Sequence, residues 1–319
     1  MPRLSTAPSS RVRRSLIPVV AGGLLLTGCG SSSSGASNRD AGNRDAGDGS
    51  TVSVVATTNV YAAVATAIAG KDARVTAILS DPSADPHSFE VSAQDQVTIA
   101  KAQLVIANGG GYDDFANTMV EAANPKPELI DVVQLSGLDQ HPKSGEFNEH
   151  VFYNLDTITT LGTALAGKLG ALDPADKQTF TANAAAFAGK LAALKKRAIA
   201  IGTAHPGLKA IVTEPVADYL LQTAGISDVT PTGFSQAVEE ENDPAPADVA
   251  QVDQLLASKS IAVLVFNSQT SGAVTEDVKK TAQADGVPVL PVTETLPAGV
   301  TDYPTWMGDT ITALGKVLG

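Results

Sequence analysis

Two imidazoles and two carboxylates stand where a metal ion could use them. His87 lies in Asp81-Pro-Ser-Ala-Asp-Pro-His-Ser-Phe-Glu90, just after the strand-like run Arg74–Leu79. Pro86 disfavours helix immediately before it, so the imidazole belongs to a loop beyond a strand. His150 closes the loop Gln134–His150, ahead of a helical stretch that begins near Asn154. Glu214 follows the run Leu208–Thr213, and Glu294 follows Val287–Pro291 within Pro291-Val-Thr-Glu-Thr-Leu296. Neutral imidazole suits zinc, copper, nickel and iron, and carboxylate shifts preference toward harder ions such as manganese. Two histidines with two glutamates bring two negative charges, which neutralise a divalent cation. A loop histidine is more often solvated than ligating, and a glutamate after a strand is more often a cap or surface residue. Spacing alone therefore leaves the quartet open. His141 and His205 each precede a proline and read as solvated, although His141 is near enough to His150 in sequence to reach the same ion. Asp113, Asp114 and the run Glu239-Glu240-Glu241 read as solvated faces.

The elements that would position these groups alternate between β-rich and amphipathic stretches. Val52–Ala56, Arg74–Leu79, Gln103–Ala107 and Glu128–Val133 are expected strands, with helices over 58–69, 92–101 and 112–123. The alternation returns with Leu208–Thr213, Asp228–Pro231, Ile261–Phe266 and Val287–Pro291 as strands, and helices near 216–224, 246–258, 271–284 and 304–317. Strands separated by helices of this length imply βαβ units, parallel sheets and an α/β fold. In such sheets ligands bind beyond the carboxyl ends of the strands. Between the halves, Asp173-Pro174 reads as a helix start and Gly202 as its stop. Phe180, Ala184, Phe187, Leu191 and Leu194 make one apolar stripe along it. Lys195, Lys196 and Arg197 favour the carboxyl end of its dipole. The expected organisation is an amino-terminal α/β lobe over 51–172, a stiff linking helix over 173–202, and a carboxyl-terminal α/β lobe over 203–319. A single rod implies little movement between the lobes.

Residues 1–28 read as an export signal: four arginines and no acid, then the thirteen-residue apolar run Ser15–Thr27. That run is too short to cross a bilayer core, which needs about 20 helical residues. Leu26-Thr27-Gly28-Cys29 resembles the bacterial lipoprotein box, which implies cleavage before Cys29 and lipid attachment to it. Residues 29–50 lack any large apolar side chain after Cys29 and repeat Asn-Arg-Asp-Ala-Gly, the composition of a flexible tether. One lipid and a tether describe a domain held at a membrane surface.

Composition removes several classes of function. With 22 basic and 34 acidic residues the formal charge is −12, which argues against nucleic acid as a partner. A single cysteine rules out an internal disulfide and any multi-thiolate metal site. Aromatic content of 4% is thin for a sugar or haem cleft. A metallohydrolase would need an open coordination position and a general base. Glu214 or Glu294 could be that base, but no His-Glu-x-x-His or similarly compact motif accompanies them.

Asp85-Pro-His87-Ser-Phe-Glu90 followed by Ala100–Gly109 resembles the first ligand motif of the zinc- and manganese-binding solute-binding proteins of ABC transporters. Asn148-Glu-His150-Val-Phe-Tyr resembles their second motif. Thr213-Glu214 with Tyr219–Gly225 resembles the third, where members carry His or Glu. Thr293-Glu294-Thr295 sits where the family usually has Asp, so Glu294 departs from the pattern, and Asp302 is the rival for that place. The resemblance spans about residues 51–319. It implies one zinc or manganese ion held by His87, His150, Glu214 and Glu294 in a cleft between two lobes. It further implies a monomeric lipoprotein on the extracytoplasmic face of the cell membrane, with an ABC-transporter permease as partner and no enzymatic activity. A surface adhesin or a metal-dependent hydrolase on the same fold is the alternative. Zinc-dedicated members often carry a His-rich loop near the second ligand; here only Asp139-Gln-His141 and Glu146-Phe-Asn-Glu149 stand there, which tilts the reading toward manganese.

Overall fold

Eight strands build two four-stranded sheets in the computed structural model, which describes residues 51–319 apart from 83, 85, 144 and 145. The expected export signal, Cys29 and the tether lie outside the described residues. β1 (Val52–Thr58), β2 (Ala73–Leu79), β3 (Leu104–Ala107) and β4 (Glu128–Asp131) pair in the order β2-β1-β3-β4. β5 (Lys209–Val212), β6 (Ser227–Asp228), β7 (Val263–Asn267) and β8 (Val289–Val292) repeat that arrangement as β6-β5-β7-β8. All the pairings are parallel. β3 and β7 are buried at every residue, as expected of central strands covered on both faces by crossover helices. In each sheet the strand order reverses beside its first strand, between β1 and β3 and between β5 and β7, and a crevice opens at such a point.

The fold is the α/β arrangement expected, with local differences that have physical causes. The expected strand Glu128–Val133 stops at Asp131, because the Asp131 side chain accepts from the Gln134 backbone N–H at 2.8 Å and starts the short helix Val132–Ser136. Thr232–Glu239, for which the sequence pattern predicts no element, forms a helix.

The long helix runs from Lys177 to Ala204, 28 residues, or about 42 Å at 1.5 Å per residue. It begins four residues later than Asp173, whose side chain instead closes a turn onto the Ala175 N–H at 3.1 Å. It also continues past Gly202. That glycine is needed for a close approach: a Cβ there would lie 1.8 Å from the Ala224 carbonyl oxygen. The basic cluster also differs from expectation, since it lies before the last turn. Lys195 donates to Asp156 in the helix Leu155–Leu172, and Arg197 donates to Gly308 O and Thr312 Oγ1 in the helix Tyr303–Leu318. One contiguous buried cluster connects Val54 and Ile106 of the first sheet, through Phe187 and Leu191 of the rod, to Val212 and Val265 of the second. The two sheets therefore share a core. No helix among the described residues is long and apolar enough to cross a membrane.

The packing of the rod makes a paired prediction. Gly202→Ala drives a methyl into backbone and should cost about 1–3 kcal/mol or more. Gly189→Ala, in the same helix with nothing within 4 Å of the point its methyl would occupy, should stabilise by about 0.5–1 kcal/mol. Urea unfolding of the metal-free variants measures both; equal midpoints would contradict the close approach.

Candidate metal centre

The residues of the centre come from the carboxyl ends of strands or the segments that follow them. His87 lies in the loop after β2, and C-terminal residues hold that loop: Gln269 Nε2 donates to Ala84 O at 2.6 Å and Thr295 Oγ1 to Pro82 O at 3.2 Å. His150 opens the one-turn helix Val151–Tyr153. Asn108, directly after β3, donates from its amide to Glu149 O at 3.0 Å, and Tyr219 Oη donates to Asn148 O at 2.7 Å. The loop bearing His150 is thus fastened to the end of β3 and to the helix Asp218–Thr223 of the second half.

Asn148 decides which ring nitrogen of His150 is available. Its Oδ1 accepts from the His150 backbone N–H at 2.9 Å and lies 2.8 Å from Nδ1, while its Nδ2 donates to Pro215 O at 2.7 Å. These partners fix the amide's orientation, so the ring proton is assigned to Nδ1 and the lone pair to Nε2. The Nε2 atom is buried with no hydrogen-bond partner. Burial, followed by the neighbouring His87, holds the His150 imidazole well below its ordinary titration range, so it stays neutral. An unprotonated nitrogen facing an enclosed polar space is the donor a transition metal requires.

Glu294 faces it. The residue is fully buried; Oε2 accepts from Tyr112 Oη at 3.1 Å and Oε1 from Asn267 Nδ2 at 2.9 Å. His87 Nε2 lies 3.6 Å and His150 Nε2 3.8 Å from Glu294 Oε2. Two ligands about 2.1 Å from one ion at tetrahedral or trigonal angles stand about 3.4–3.6 Å apart. Both nitrogens thus stand within a few tenths of an ångström of ligand spacing from Glu294 Oε2, and one ligand atom from each of the three groups lies within 4.8 Å of the others. Burial first, then the Glu294 charge, raises the Tyr112 phenol well above its usual range and keeps it a donor. Glu214 stands beside this trio. It is buried, and its Oε2 accepts from the same Asn267 amide at 2.8 Å while Oε1 accepts from Thr270 Oγ1 at 2.6 Å. Asp302 is occupied elsewhere: it caps the last helix, accepting from Thr305 N at 2.9 Å and Thr305 Oγ1 at 2.6 Å.

Two readings of acidic residues are corrected. Asp113 is buried, accepting from the backbone N–H groups of Asn108 and Gly109 at 2.7 and 2.8 Å, and so shapes the turn after β3. Glu239 ends the helix Thr232–Glu239 and turns inward, its Oε1 3.6 Å from His150 Nδ1. Burial, then repulsion from Glu149, Glu214, Glu294 and Asp218, pushes the Glu239 carboxyl up to about 9. Burial raises Glu149 to about 7 as well. His141 is exposed and His205 caps the end of the rod; neither joins the centre. Sequence reasoning also passed over Asn267 and Gln269. Asn267 ends β7 as Glu214 follows β5, so the strand-end rule could have found it had amides been considered with acids.

The profile of the ZnuA family, described as zinc-uptake complex component A, periplasmic, matches residues 54–317. The metal ABC transporter substrate-binding lipoprotein ScbA of Streptococcus cristatus is 25% identical over 245 residues, 72% of this chain and 76% of its own. The zinc-binding lipoprotein AdcA of Streptococcus pneumoniae is 27% identical over 230 residues, 67% of this chain and 45% of its own, so the chain spans about half of that relative's length. Among solved structures, SBP FpvC from Pseudomonas aeruginosa in complex with Mn2+ shares the fold with a TM-score of 0.69 at 22% identity, over 84% of this chain and 98% of that one. With a match covering both sheets and the rod between them, the chain belongs to the ZnuA family.

Proposed function

We propose that the protein is an extracytoplasmic, lipid-anchored receptor that captures one zinc or manganese ion and delivers it to the permease of an ABC transporter. The observation that carries this reading is the buried, unpartnered His150 Nε2 aimed at Glu294, with His87 at 3.6 Å from the same carboxylate oxygen. His87, His150 and Glu294 supply three donors. Glu214 becomes the fourth by exchanging its bond to Asn267 for the ion. Donors from both halves then converge on one cation, whose charge two carboxylates neutralise. Four protein ligands leave little room for a reacting water, so the reading is binding without turnover. Carboxylates that bind through both oxygens raise the coordination number toward what manganese accepts, and tetrahedral closure favours zinc. The names of relatives and their bound ions support the substrate class: zinc for AdcA and Mn2+ for FpvC.

Calorimetric titration tests the ligand set. His87→Ala and His150→Ala should each weaken zinc and manganese binding at least tenfold, about 1.4 kcal/mol, with His205→Ala nearly silent. Glu294→Gln should lose much of the affinity and Glu294→Asp less, because Asp keeps the charge and retracts it by one methylene. Small and equal effects throughout would place the ion elsewhere.

The pH dependence follows from the direction of the His150 shift. Its folded-state value is depressed below the ordinary value of about 6.5. No proton therefore has to leave His150 at neutral pH, and its competition with metal begins only well below the ordinary imidazole range. A loss of affinity between pH 8 and 7 that disappears in His150→Ala would contradict this assignment.

The anchor rests on Leu26–Cys29 and the polar stretch behind it. Cys29→Ala should release the protein from the membrane fraction with metal affinity intact; unchanged membrane retention would refute lipidation at Cys29.

A further inference from the structure

Beside the centre lies a cavity of about 460 Å³ bordered by His87, Asn148, Glu149 and Glu239. Seven of its described lining residues are Asp or Glu, and none is Lys or Arg. Two groups of possible ligand atoms occur along this path, each with its atoms within 4.8 Å of one another: His87 with His150 and Glu294, and His87 with Glu149 and Glu239. His87 belongs to both. Its side chain keeps 23% of its accessible surface, whereas those of His150 and Glu294 keep none, so it stands at the boundary between cavity and interior.

The His150 ring is the wall between the two groups. Its Nε2 side faces Glu294, and Glu239 Oε1 lies 3.6 Å from its Nδ1. That Glu239 oxygen is buried and has no hydrogen-bond partner. Asn148 already takes the Nδ1 proton at 2.8 Å, so His150 does not satisfy Glu239. An imidazole and two carboxyl groups, one of which holds the unsatisfied buried oxygen, form a donor set for a divalent cation, richer in oxygen than the inner group.

We propose that His87, Glu149 and Glu239 form an outer divalent-cation site, which receives the ion from solvent and passes it inward through His87 to His150 and Glu294. This rests on the inner group being the final site. Rotation of the shared His87 moves one ligand between positions, so the ion keeps at least one protein ligand during transfer. Because both positions use the same imidazole, occupancy is sequential and the outer site is the weaker.

Mn2+ alone, followed by electron paramagnetic resonance and stopped-flow on the full chain, tests the proposal. In His150→Ala, where the inner site has lost one of its ligands, a weak Mn2+ site should persist, and adding Glu149→Gln with Glu239→Gln should weaken it at least tenfold. In the otherwise unaltered protein the same pair should slow Mn2+ association at least about fivefold. Each single Gln variant, nearly isosteric and uncharged, should give part of the loss. Glu146→Gln and Glu240→Gln, on the same cavity but outside the trio, should change it little.

The outer site is refuted if His150→Ala shows no Mn2+ binding up to about 1 mM, the weak end of carboxylate-rich cation sites. It is equally refuted if the residual site ignores Glu149 and Glu239, or if all four acids slow association equally, since the effect would then be the general field of the cavity. Failure of the inner reading looks different: His150→Ala would then bind Mn2+ as tightly as the unaltered chain.

Discussion

A carboxylate with no exposed surface must find inside the protein the solvation it would have in water, and Glu294 sets that requirement here. Its oxygens take a phenol hydrogen bond from Tyr112 and an amide hydrogen bond from Asn267, and two imidazole nitrogens stand 3.6 and 3.8 Å from Oε2. Tyr112 and both histidines come from the first half of the chain; Asn267 and Glu294 come from the second. Satisfying one buried charge therefore fixes how the two sheets face each other. Asn148 performs the complementary task on His150, holding its proton on Nδ1 and leaving Nε2 bare while bonding to the carbonyl directly after Glu214.

The rest of the fold keeps that arrangement in place. Parallel sheets with the same strand order present their carboxyl ends at the crevice, which is why short loops after β2, β5 and β8 suffice to deliver His87, Glu214 and Glu294. The rod from Lys177 to Ala204 buries its apolar stripe in a core common to both sheets, and Lys195 and Arg197 tie it to a helix of each half. Further hydrogen bonds cross between the halves, among them Tyr153 Oη to Thr293 O at 2.8 Å and a reciprocal pair between Asn59 and Leu296. Rigid-body opening would break these together with the shared core. Side-chain motion at the cavity, rather than wide separation of the lobes, is the less costly route for an ion.

Much of this was legible in the sequence because it depends on local pattern. Alternating β-rich and amphipathic stretches gave the parallel sheets, and the spacing of Phe180, Phe187, Leu191 and Leu194 gave the rod. The positions of His87, Glu214 and Glu294 after strands pointed to the crevice. What stayed hidden depends on tertiary contact. Gly202 has the form of a helix stop, and only its approach to Ala224 explains a glycine inside the helix. Asp173-Pro174 has the form of a helix start, yet Asp173 closes a turn. Asn148 and Asn267 carry no signature as ligands, since their work is to orient and solvate other groups. Glu239 sits in a run of three acids, and its turn inward follows from a helix end that periodicity did not reveal.

The central claim is that His87, His150 and Glu294 converge on one transition-metal ion. A structure of the protein loaded with zinc, with the ion located by anomalous scattering at the zinc edge, tests it most directly. The account predicts one ion at about 2.0–2.2 Å from His87 Nε2, His150 Nε2 and a Glu294 carboxylate oxygen, with a Glu214 oxygen drawn from Asn267 to complete the shell. An ion held without His150, or with Asp302 in the place of Glu294, would contradict it.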